Sequence, residues 1–224
     1  MSKDPKCSGK VNPKTGLPLL DEESKLTFQP RHGLIYRVVF GPVTALSRLI
    51  FSPKVRGRQN IPPTGGCVIA FNHIANLDAV TVSTSTKRKL FFLGKVELSR
   101  GIRGKIFNGM GIIPVDRARR NSAAVDAAVQ ILKQGGVVAI APEGFTNRGT
   151  KLAPFKFGAV AMAGRAQVPI VPAAIVGRYI PFARKLSITF GEPIMVDAKD
   201  LKGANQKLWY TISKMREKLQ ESDK

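Results

Sequence analysis

Short apolar runs alternate along this chain with stretches in which apolar residues recur at helical spacing. Cys67–Phe71, Ile112–Val115 and Val137–Ile140, with residues 90–93, 169–175 and 186–190, are runs of four to seven residues that read as buried strands. Residues 55–58 read as a further short strand, closed by the turn-forming 60–66. Pro114 removes a ladder donor and so places its strand at a sheet edge or at a strand's start. Between these runs, helices are expected at 76–86, at 102–108 with Ile102, Ile106 and Phe107 apolar, and at 155–165. A clearer one is capped by Asn121, repeats Val125, Ala128, Val129 and Leu132 at i, i+3, i+4 and i+7, and stops at Gly135-Gly136. The last helix buries Leu208, Ile212, Met215 and Leu219. Strands alternating with helices predict an αβα sandwich with a largely parallel central sheet, here over residues 54–224. The loops after Phe71, Val115 and Ile140 then converge on one rim, where open α/β sheets bind ligands.

The pattern changes before residue 54. Residues 1–30 are rich in Lys, Pro, Gly and Asn, carry no signal-peptide core, and read as a mobile tail. Residues 31–53 read as an amphipathic helix, kinked at Pro42, with Ile35, Val39, Leu46 and Ile50 on one side and Arg37, Thr44 and Arg48 on the other. Its arginines and Gly41-Pro42 leave it short of the about 20 apolar residues a membrane span needs. Two readings stay open, a helix packed on the domain's own core and an interfacial helix lying in the headgroup layer.

Charge sharpens that choice. Lysine plus arginine number 36 against 15 acids, a formal +21, so an anionic partner is expected. The basic residues are scattered, and neither zinc-finger spacing nor an RNA-binding signature accompanies them, which argues against nucleic acid. Two cysteines, Cys7 and Cys67, make no disulfide scaffold and no metal framework, and suit a reduced cytoplasmic setting.

Only two histidines occur, and His73 follows a predicted strand with Asp78 five residues on. On one continuous helix five residues would set the two side chains roughly 140° apart. If His73 lies in the loop and the helix starts near Asn76, an N-cap type, Asp78 falls in the first turn and can turn back to the imidazole. The carboxylate then sets the tautomer, leaving the other ring nitrogen to take a proton from a hydroxyl. Lys95, Arg117 and Arg148 supply cations suited to a phosphate, and Glu143 a second carboxylate. No Gly-x-Ser-x-Gly elbow and no Walker loop is present, so neither a serine hydrolase nor a P-loop enzyme is supported.

These residues carry a resemblance. Asn72-His73 with Asp78 matches the Asn-His-x-x-x-x-Asp of the glycerolipid acyltransferases, in particular the 1-acylglycerol-3-phosphate acyltransferases. Lys95-Val96-Glu97-Leu98 resembles their Lys-x-Glu-Leu, Gly111 to Arg117 their second motif, Pro142-Glu143-Gly144 the start of the third, and Val168 to Pro172 the fourth. The third motif departs from the family, which continues with Thr-Arg-Ser where this chain has Phe145-Thr146-Asn147 before Arg148.

The resemblance implies direct acyl transfer from acyl-CoA or acyl carrier protein to the sn-2 hydroxyl of lysophosphatidic acid, giving phosphatidic acid. His73 would be the base and Asp78 its orienter. Lys95, Arg117, Glu143, Gly144 and Arg148 would line the acceptor site, aided by backbone amides in the loop after Ile140. It implies no cofactor and no metal, anionic membrane lipids as partners, and a peripheral or monotopic place on the cytoplasmic face of the cell membrane. Two alternatives stay open: the same chemistry on glycerol-3-phosphate or another lysophospholipid, and a non-catalytic basic protein that binds membrane or nucleic acid.

Overall fold

The structure, a computed structural model, describes residue 38, residues 40–95, 111–115 and 122–222. The helix expected at 102–108, the cap Asn121 and the tail 1–30 lie outside the described residues. From the N-terminal side the elements are α1 (Gly41–Phe51), β1 (Lys54–Arg56), β2 (Cys67–Phe71), α2 (Asp78–Thr84), β3 (Leu90–Lys95), β4 (Ile112–Val115), α3 (Ser122–Lys133), β5 (Val137–Ile140), α4 (Gly158–Ala166), β6 (Ile170–Gly177), β7 (Leu186–Phe190) and α5 (Leu201–Ser222).

Seven strands form one sheet in the order β1-β7-β6-β2-β5-β3-β4. Every pairing is parallel except β6 with β7, whose connection, residues 178–185, is too short for a crossover and so returns the chain antiparallel. The expected αβα sandwich is therefore correct, with two strands of reversed direction at one end. Pro114 sits on the edge strand β4, as its missing N–H requires.

The core follows from the period of two along β2. Val68 and Ala70 face α3, α4 and α5, where they join Leu132, Met162, Leu208 and Ile212. Cys67, Ile69 and Phe71 face the other way, onto Val82 of α2 with Ile188 and Phe190 of β7. Both faces are covered, which is why β2 reads as an unbroken apolar run.

Several boundaries differ from the sequence reading for local reasons. β1 stops at Arg56 because Gly57 turns left-handed, at φ +69°, where a Cβ would strike the Phe190 carbonyl. α4 starts at Gly158 rather than 155, since Phe155 is drawn into the core ahead of the helix. The last helix buries Leu208, Ile212 and Leu219 but uses Arg216 in that stripe.

α1 sits differently from its helical-wheel reading. It packs against α2, and the side toward the domain carries Phe40, Thr44, Ser47 and Phe51. Val43, Leu46 and Leu49 point outward, with Leu46 57% and Leu49 68% exposed, and the helix itself buries no residue. Phe40 and Phe51, with Thr44 and Ser47 between them, hold it to the protein while a second apolar stripe faces away.

Candidate active site

Asn72 and His73 leave β2 at the carboxyl end of the sheet. There β6 continues past the last paired residue of β2, and the buried Asn72 side chain takes over the pairing: its Nδ2 donates to the Ile175 carbonyl (2.9 Å) and its Oδ1 accepts the Ile175 N–H (2.7 Å). The amide thereby fixes the strand end from which His73 departs.

Three successive residues, His73, Ile74 and Ala75, wrap around one carboxylate oxygen. Asp78 Oδ2 accepts from the backbone N–H of Ile74 (2.6 Å) and of Ala75 (2.9 Å), and His73 Nδ1 lies 2.8 Å from it. An oxygen already receiving two amides is an acceptor, so Nδ1 carries a proton, and in the neutral ring Nε2 holds the lone pair. The expected approach of loop histidine and first-turn carboxylate is thus what the structure brings together. The expected cap is corrected: Asn76 is exposed and α2 starts at Asp78, because Asp78 itself gathers the loop amides and leaves Asn76 in solvent.

The other oxygen has a partner that sequence reasoning missed. Tyr179, just beyond β6, donates its hydroxyl to Asp78 Oδ1 (2.7 Å), and that hydroxyl also pairs with Thr81 Oγ1 (2.9 Å). Burial, followed by the Asp78 charge, pushes the Tyr179 hydroxyl far above its ordinary range, so it stays a donor at every working pH. No spacing rule links positions 78 and 179. Only the sheet order, with β6 beside β2, could have found the pair.

Glu143 ties the second loop to the first. It is buried; Oε1 accepts the His73 N–H (3.1 Å), and Oε2 accepts Asn147 Nδ2 (2.6 Å) and the Ala153 N–H (3.0 Å). Asn147, which sequence reasoning also passed over, closes the junction by donating its N–H to the His73 carbonyl (2.6 Å), while its Oδ1 accepts the Gly149 N–H (2.9 Å). That last bond is an Asx turn, a signal an Asn-x-Gly triplet does carry. With both oxygens occupied, Glu143 is a strut beneath His73 and not a free base.

Gly144 adopts φ +79° and spends its N–H on the Ala141 carbonyl, so it has no amide left for an anion. A Cβ there would meet Lys156 Cε at 2.9 Å and Nζ at 3.0 Å, which places an unforeseen ammonium group over this turn. Arg148 is exposed and forms no hydrogen bond or ion pair with any described residue. Lys95 ends β3 opposite Val115 at the same rim of the sheet, and Arg117 lies outside the described residues.

Chemically, the cluster offers an imidazole whose ring is held by Asp78 and whose backbone is seated by Glu143, with Nε2 turned away from the Asp78 bond. Among the described residues no cysteine thiol or serine hydroxyl stands bonded to the His73 ring as a nucleophile would. Burial pushes the Cys67 thiol up to about 11, and its side chain sits in the core cluster on the α2 side of the sheet. Residues 52–176, more than half of the chain, match the family model described as Acyltransferase.

The chain belongs to the acyltransferase family. Over 147 residues this acyltransferase is 29% identical to the 1-acyl-sn-glycerol-3-phosphate acyltransferase of Bacillus subtilis, covering 63% of this chain and 73% of that protein. It is 32% identical over 151 residues to the corresponding alpha enzyme of Mus musculus, covering 62% of this chain and 50% of the mouse protein. Its fold matches the crystal structure of the 1-acyl-sn-glycerophosphate acyltransferase PlsC from Thermotoga maritima with a TM-score of 0.67, at 22% identity and over 81% of this chain and 80% of that one. The acyltransferase thus spans most of its bacterial relative but only half of the mouse one.

Tyr179→Phe removes one donor from the Asp78 carboxylate and leaves the ring in place. The carboxylate then loses one of the bonds that aim it, and with it part of its hold on the His73 ring. A fall in kcat of about threefold to tenfold is expected, as for loss of part of a charge-assisted hydrogen bond. A kcat equal to wild type would show that Tyr179 only packs.

Proposed function

We propose that this acyltransferase moves a fatty acyl group from an acyl thioester, carried by coenzyme A or acyl carrier protein, to the sn-2 hydroxyl of 1-acylglycerol-3-phosphate. The observation that carries the proposal is the His73 ring held by Asp78 Oδ2, with Nε2 left as a base, in a family whose relatives bear that activity in their names. His73 Nε2 takes the proton of the acceptor hydroxyl as its oxygen attacks the thioester carbonyl. The tetrahedral adduct collapses, the carbon–sulfur bond breaks, and the imidazolium returns the proton to the departing thiolate. A thioester is already activated, so the transfer calls for no redox group.

Lys95, Arg117 and Arg148 remain the proposed phosphate ligands, and Lys156 joins them because its ammonium lies over the Gly144 turn. In the loop after Ile140 the amides of Gly144, Asn147 and Gly149 are spent on Ala141, His73 and Asn147 oxygens, which leaves fewer of them for the phosphate. Acceptor and product are bilayer lipids, and the outward stripe of Val43, Leu46 and Leu49 beside Arg48 suits docking on an anionic leaflet. No described helix is long and apolar enough to cross a membrane.

The test is acylation of lysophosphatidic acid in anionic vesicles by the purified protein, run against glycerol-3-phosphate and against lysolipids without a free phosphate. Phosphatidic acid as the main product supports the assignment. Transfer to glycerol-3-phosphate or another lysolipid alone would move the acceptor, as the Phe145-Thr146-Asn147 departure allows. Vesicle binding is expected to weaken as salt rises from 0.01 M, where the Debye length is about 30 Å, to 0.15 M, where it is about 8 Å.

A further inference from the structure

The β6–β7 connection, residues 178–185, presents apolar groups that the active site does not use. Phe182 is 75% exposed and Ile180 is exposed beside it. Phe182 also adopts φ +59°, a left-handed backbone that costs a bulky residue free energy. The chain thus accepts strain to hold an aromatic ring in solvent.

Two further observations say what the ring meets. The Phe182 N–H donates to the Ile50 carbonyl (2.7 Å) at the end of α1, which pins the tip of this hairpin to the helix that carries the outward Val43, Leu46 and Leu49. Arg178, Arg184 and Lys185 flank the ring, all exposed, and the segment contains no acid. Glu217 and Glu221 of α5 line the cleft behind the hairpin, but with Lys54 the cations there outnumber them. Single exposed apolar residues are ordinary; a strained aromatic set in basic residues and fixed to an unpartnered apolar helix face is not.

We propose that hairpin 178–185 is a second bilayer contact, inserting Phe182 at the boundary of headgroups and acyl chains while Arg178, Arg184 and Lys185 meet anionic headgroups. This rests on the membrane docking of α1 given above and adds an element remote from it in sequence. It has a structural consequence, since Tyr179 stands at the base of the same hairpin, its ring edge-on to Phe51 of α1 at 5.3 Å. Lipid contact at the tip and support of Asp78 at the base then belong to one short segment.

The experiment is sedimentation of the full chain with vesicles of phosphatidylcholine and phosphatidylglycerol. Phe182→Asn removes the ring while keeping a residue type that tolerates left-handed backbone, and should lower the partition coefficient about tenfold. Tyr210→Ser, which removes an exposed aromatic of α5, should leave it unchanged. In Phe182→Trp the added emission should be quenched by brominated lipid. Partition of Phe182→Asn equal to wild type, with no such quenching, overturns the proposal. So does unchanged partition accompanied by a raised KM for an acyl carrier protein donor in Arg184→Glu, which would give this face to an acidic protein. Leu46→Ser with Leu49→Ser separates the two claims: loss of partition there alone sinks the hairpin and spares α1, whereas no loss in either set removes the docking reading itself.

Discussion

His73→Ala should lower kcat by about 10²-fold to 10⁴-fold, the range that a positioned general base contributes. No described neighbour is free to replace it. Both Asp78 oxygens and both Glu143 oxygens already accept hydrogen bonds, and the Tyr179 hydroxyl is fixed between Asp78 and Thr81. The fold should survive the change, because the bonds that seat this position, His73 N–H to Glu143 and Asn147 N–H to the His73 carbonyl, belong to the backbone. Initial rates at saturating donor and acceptor, taken beside a thermal melt, test this directly. A variant that melts like wild type and keeps more than about a tenth of its kcat would remove His73 from the base role.

What the sequence made legible, and what it hid, divides along a physical line. β2 and β5 are covered on both faces, so their runs are apolar without interruption and could be placed to the residue. The His73–Asp78 approach was legible because its two partners lie five residues apart, and only a loop followed by a helix start lets them meet. Tyr179 was not legible, because its contact with Asp78 exists only once β6 lies beside β2. The orientation of α1 was hidden for another reason: periodicity finds an apolar side but not what that side faces, and here Thr44 turns inward while Leu46 turns out. Glu143 could be singled out as a motif carboxylate, yet its work as a strut depends on Asn147 and Ala153 folding back over it.

The arrangement around Asp78 predicts an asymmetry between two substitutions there. His73, Ile74 and Ala75 all donate to Oδ2, and among the described residues only Tyr179 donates to Oδ1. An asparagine can therefore keep its oxygen toward the three donors and turn its amide nitrogen to Tyr179, whose hydroxyl reverses to accept and donates onward to Thr81. Asp78→Asn should then preserve the loop and the imidazole tautomer and lose only the charge that steadies the imidazolium. At about 4 Å and an effective dielectric of 20 that charge is worth up to about 4 kcal/mol, so a loss in kcat approaching about 10³-fold is the upper bound. Asp78→Ala should cost as much activity and also melt lower, since it takes the acceptor from the part-buried Ile74 and Ala75 amides at about 1–3 kcal/mol each. Combining Asp78→Asn with Tyr179→Phe removes the acceptor for the new amide nitrogen, so the double variant should fall below the product of the single ones. If Asp78→Asn melts as low as Asp78→Ala, or if the double variant is simply multiplicative, Tyr179 does not hold the second oxygen in the way its 2.7 Å contact implies.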